Sequence, residues 1–104
     1  MSGMSRGLSI ESAVRIKDDV LFNDLHGEVV LLNLRTGIYF GLDPVGTRAW
    51  QLIQDHGRLG SVRDVMLEEY EVSAERLWED LRDLVSRLAD NELVEVINEG
   101  DTVA

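Results

Sequence analysis

Leu31-Leu32-Asn33-Leu34-Arg35-Thr36-Gly37-Ile38-Tyr39-Phe40-Gly41-Leu42-Asp43-Pro44-Val45-Gly46-Thr47-Arg48-Ala49-Trp50 reads as a hydrophobic strand, a tight turn at Gly37, a second short strand and a capped helix start. Arg35-Thr36-Gly37 closes a hairpin between Glu28–Leu34 and Ile38–Leu42, because glycine supplies the positive φ that a tight reversal needs. By the two-residue period, Ile38, Phe40 and Leu42 share one face of the second strand, and Tyr39 and Gly41 take the other. Asp43 then has the chemistry of an N-cap, and Pro44 stands at the first helical position, where a missing N–H costs nothing.

Working outward, Ser12–Phe22 carries broken alternation, which predicts one or two short strands, and Asp24-Leu25-His26-Gly27 predicts a turn. A sheet so small needs a helix over its apolar face. After the first helix stops at Gly57, Ser61 and Asp64 resemble a capping box opening a second helix, and Ser73 caps a third. Asn91 is the expected left-handed C-cap of that helix, before a strand over Leu93–Ile97. The pattern predicts an α+β winged helix-turn-helix: a small three-stranded antiparallel sheet followed by three helices and a short C-terminal strand. The domain is expected over 12–97, with flexible tails at 1–11 and 98–104.

Composition narrows the chemistry. A chain of 104 residues makes one domain. It has no cysteine, hence no disulfide framework and no thiolate metal site, which fits a cytoplasmic location. No apolar run approaches the roughly 18 residues of a membrane span, and Met1–Gly7 carries no signal-peptide core. The net charge of −10 disfavours a phosphate backbone as partner. His26 and His56 have no partners at metal or general-base spacing, and no serine sits in a nucleophile-like context. No catalytic site, metal or cofactor is expected.

The third helix is amphipathic with a surplus. Leu77, Leu81, Leu84 and Leu88 form a core stripe; Ala74, Val85, Trp78 and Ala89 widen the apolar arc to roughly 140°, with Arg82 at its border. Either the surplus packs against the rest of the fold, or Val85, Trp78 and Arg82 line one wall of a groove.

An ordered set of residues decides between functions. Leu31, Thr36-Gly37, Tyr39-Phe40-Gly41-Leu42, Val45-Gly46 and Trp50, followed by Leu93-Val94, resemble the pyrroloquinoline quinone biosynthesis protein D family, also called RiPP recognition elements. The match runs from about Val20 to Val96. The resemblance implies a non-catalytic module that binds the leader of a ribosomally made precursor peptide by strand addition and presents it to a modifying enzyme (a radical SAM enzyme, protease or cyclase). It places the peptide against Ile38, Tyr39, Phe40, Gly41 and Leu42, with Trp78, Leu81, Arg82 and Val85 as the facing wall. The alternative is a winged-helix DNA-binding regulator. Against it stand Glu75, Glu79, Asp80 and Asp83 on the third helix, opposed only by Arg76, Arg82 and Arg87.

Overall fold

The computed structural model describes residues 8–98. In chain order the elements are β1 (Ala13–Ile16), β2 (Val20–Leu25), β3 (Glu28–Asn33), β4 (Tyr39–Gly41), α1 (Pro44–His56), α2 (Leu59–Glu69), α3 (Ala74–Asp90) and β5 (Val94–Ile97). The fold is the expected α+β winged helix-turn-helix type, with the strands divided between two sheets. β2-β3-β4 form a three-stranded antiparallel sheet, and β1 pairs antiparallel with β5 in a two-stranded one.

The β2–β3 hairpin turns on His26 and Gly27, both at positive φ, while the Asp24 carboxylate accepts the Gly27 N–H at 2.8 Å. At α1 the local code is followed to the letter. Asp43 accepts the Gly46 N–H at 2.7 Å, and Gly57 at φ 77 ends the helix with its N–H on the Ile53 carbonyl. Ala49, Trp50, Leu52 and Ile53 face inward, and Trp50 lies wholly buried under an edge-to-face contact with Phe22.

The second helix corrects the expected capping box. It begins at Leu59, two residues before Ser61, and has no side-chain cap. Its first donors are met from far along the chain: the Leu59 N–H by the Ser12 carbonyl and the Gly60 N–H by the Ile10 carbonyl, each at 2.9 Å. Residues 8–11, expected as part of a loose tail, are therefore tied to α2. A Cβ on Gly60 would stand 2.9 Å from the Ile10 carbonyl oxygen, so the close approach requires glycine there. At the other end Asn98 bonds Ser12 through their side chains. The remaining residues of both expected tails lie outside the described residues.

The end of α3 differs from expectation too. Asn91 keeps φ −91, and Glu92 takes the left-handed position at φ 58. The Leu93 N–H reaches the Leu88 carbonyl and the Glu92 N–H the Ala89 carbonyl, the paired bonds of a Schellman C-cap. What holds a glutamate in this conformation is the buried Asn33. Its amide donates to the Asn91 and Glu92 carbonyls at 3.0 Å each, and its oxygen accepts the Arg35 and Thr36 N–H groups. Arg35 and Glu92 add an ion pair across the same joint. One side chain thereby fastens the β3–β4 hairpin to the end of α3.

Candidate functional site

β4 is the edge of its sheet. The Asn33 N–H donates to the Ile38 carbonyl at 2.9 Å, and the Leu42 N–H donates to the Val29 carbonyl at 2.8 Å. Backbone direction alternates along an antiparallel strand, so residues 38, 40 and 42 turn their main chain to β3. Tyr39 and Gly41 turn theirs outward. Two consecutive outward positions form an open template for another strand. Among the described residues, a Cβ on Gly41 would meet no atom within 4 Å.

Beside this edge a cleft of about 330 Å³ opens between the β4–α1 junction and α3. Val45, Ala49, Leu77, Leu81 and Leu84 form its apolar walls, and Asp43, Asp80, Asp83 and Arg87 also line it. Phe40 projects toward the same side, with the Arg87 guanidinium 5.9 Å from its ring centroid and 3.4 Å from the Asp83 carboxylate. The inner row Phe22–Leu31–Phe40 thus continues onto α3. Thr47 fixes α1 to the sheet by accepting the Val29 N–H at 2.9 Å. Asn33 holds the other end. The β3–β4 hairpin is thereby tied to α1 through Thr47 and to the end of α3 through Asn33.

The sequence-predicted residues divide. Tyr39 is 69% exposed, Ile38 and Gly41 are exposed, Phe40 is half-buried and Leu42 is buried beneath the strand. Leu81 lies at the base of the cleft with little surface. Val85 corrects the expectation of a groove wall: it is 0% exposed and belongs to the core stripe Leu77–Leu81–Val85–Leu88. Arg82 is also displaced, lying on the far side of α3 with Leu8, Glu79 and Ser86. Trp78 is half-buried against the core and does not line the cleft. The helix is rotated so that Leu84 and Arg87, missed in the sequence, face the β4 side. The apolar arc has a hydrophobic residue on each border, Leu84 on one and Trp78 on the other. Nothing within α3 distinguishes the border that meets the sheet.

Among the described residues no group of three or more His, Cys, Asp or Glu is placed to hold a metal ion, and no helix is long and apolar enough to cross a membrane.

The described residues thus form a small winged helix-turn-helix whose β4 edge lies beside a cleft. The family model for coenzyme PQQ synthesis protein D (PqqD) matches residues 28–94, and the chain belongs to that family. No curated relative matches it. Two solved structures are similar. One, "TbiB1 in Complex with the TbiA(beta) Leader Peptide", is 43% identical, with 78% of this chain and 94% of that chain covered and a TM-score of 0.75. The other, "Lasso peptide synthetase B1 complexed with the leader peptide", is 24% identical, with 80% and 98% covered and a TM-score of 0.73; at that identity the likeness is one of fold.

Proposed function

We propose that this protein binds the leader segment of a ribosomally made precursor peptide and presents the precursor to a modifying enzyme. The leader pairs with the outward main chain of Tyr39 and Gly41, and alternate side chains enter the cleft beside Phe40, Leu84 and Arg87. Main-chain pairing supplies affinity that tolerates sequence change, and the cleft supplies selectivity. The protein contributes no chemistry of its own. It acts in the cytoplasm by raising the concentration of the precursor's core near the enzyme.

The observation that carries this reading is the free β4 edge above an apolar cleft, in a chain 43% identical to a protein solved with a leader peptide. The charge balance supports it against the DNA-binding alternative. On α3, Arg76 and Arg87 are already paired with Asp80 and Asp83, so two of its three basic residues face acids on the same helix.

Fluorescence anisotropy with the leader of the precursor encoded nearest to this gene tests the proposal. A dissociation constant of micromolar order or tighter, about −8 kcal/mol or more favourable, is expected. A flat titration with folded protein refutes it.

A further inference from the structure

The cleft beside β4 has a direction, because its two long walls run opposite ways. α3 ends at the hairpin turn, where Asn33 holds the Asn91 and Glu92 carbonyls and Arg35 pairs with Glu92. Arg87, in the last turn of α3, stands over Phe40. Asp80, about two turns earlier, lines the cleft together with Asp43, Val45 and Gly46 at the start of α1. β4 therefore runs from the Arg87 end toward the Asp80 end, antiparallel to α3. The sheet it borders is wholly antiparallel, and a further strand pairs best in the same sense. A leader strand on β4 thus runs parallel to α3. Its N-terminal part passes Asp80 and Asp43, and its C-terminal part passes Arg87.

The charges along that path are unequal. Three carboxylates, Asp43, Asp80 and Asp83, line the cleft against one base, Arg87. Arg87 and Asp83 lie 3.4 Å apart and balance each other beside Phe40. At the other end Asp80 lies 3.4 Å from Arg76, which is not among the residues lining the cleft. Their side chains are 65% and 69% exposed, and an exposed pair of this kind contributes little, so a ligand can displace it. Asp43 commits Oδ1 to the Gly46 N–H, and a carboxylate can accept further bonds. Between the two ends the walls are apolar, with Val45, Leu77 and Leu84. Apolar walls leading to carboxylates suit a side chain with a long hydrocarbon stem and a cationic head.

We infer that the cleft fixes the direction of the leader by charge: it takes a lysine or arginine on the N-terminal side of the paired segment, with its stem along Leu77 and Leu84 and its head at Asp80 and Asp43. Asp80 is the residue that sets this specificity. It stands seven positions before Arg87, about 10 Å along the helix, which an extended strand covers in about three residues. The basic residue therefore precedes by about three the side chain lying beside Phe40. A leader entering backwards would carry its cation to Arg87, and that repulsion is the other half of the selection. The inference rests on the leader-binding reading and adds to it which leader charge is accepted, and where.

Fluorescence anisotropy with the leader of the precursor encoded nearest to this gene tests it, at low and high salt, with circular dichroism on each variant. Truncation of the leader from each end first locates the paired segment. Replacing the lysine or arginine on its N-terminal side by glutamate should weaken binding about fivefold or more at low salt, and less at high salt. Asp80→Lys should weaken the native leader by a similar factor and recover most of the loss with the glutamate leader. Asp80→Asn removes the charge and keeps the shape, so it should show a smaller loss with the native leader. A native leader with no basic residue on that side overturns the inference. So do equal affinities for the native and glutamate leaders, or a loss in Asp80→Lys that the glutamate leader does not recover. Should the lysine variant fail to fold, wild-type affinity of Asp80→Asn for the native leader overturns it as well. A wild-type protein that binds neither leader refutes instead the reading on which the inference rests.

Discussion

At the scale of single residues, Asn33 does more for the site than any residue that lines it. Its carboxamide makes four hydrogen bonds, two to the hairpin and two to the end of α3. Asn33→Ala leaves those backbone groups without partners in a part-buried setting, at a cost of about 2–3 kcal/mol in chemical denaturation. Leader affinity should fall with it, since the hairpin carrying β4 loses its tie to α3. Val85 and Arg87 show how two positions one half-turn apart separate stability from binding. Val85→Glu places an unpaired charge among Leu77, Leu81 and Leu88 and should destabilise by more than about 4 kcal/mol, which circular dichroism would register as loss of fold. Arg87→Ala should leave the fold intact and weaken leader binding by about 1 kcal/mol or more, read by anisotropy. Arg82→Ala serves as the neutral control, because it stands on the opposite side of the helix.

At the scale of elements, the decisive feature is the direction of the β4 main chain. Tyr39→Pro removes an outward N–H without touching a bond to β3, so it should abolish leader pairing while the hairpin survives. Tyr39→Ala keeps that donor and should bind more tightly than the proline variant; equal affinity of the two would contradict strand addition. The elements also differ in how far the sequence discloses them. α1 is fully legible because Asp43, Pro44 and Gly57 act within one turn of the helix ends. The start of α2 is not, because its donors are met by Ile10 and Ser12, some 47 to 50 positions earlier in the chain. Likewise Glu92 takes a position suited to Asn91 because Asn33, 58 and 59 positions away, holds the two carbonyls. β4 was readable as a strand and as an edge. The rotation of α3 was not, since a symmetric apolar arc leaves its orientation to packing against elements remote in sequence.

At the scale of the whole molecule, ion pairs between elements give stability a defined pH dependence. Arg48 on α1 holds the Glu69 carboxylate on α2 by two hydrogen bonds of 2.9 and 2.7 Å, and this pairing lowers the Glu69 pKa below its ordinary value. A carboxylate with a depressed folded pKa adds stability above its unfolded pKa, and that stability is lost as pH falls through the folded one. The wild-type protein should therefore lose stability on acidification below the ordinary carboxylate range, and Glu69→Gln should lose less over the same interval, measured by denaturant titration at each pH. Arg48 stays charged throughout, its own pKa raised by the same hydrogen bonds. The central claim concerns where the molecule meets its ligand, and NMR chemical-shift mapping of the labelled protein titrated with leader peptide tests it most directly. The account predicts the largest changes at Ile38–Leu42 and at Leu84 and Arg87. Largest changes in α2, or along the Trp78–Arg82 side of α3 with β4 silent, would contradict it.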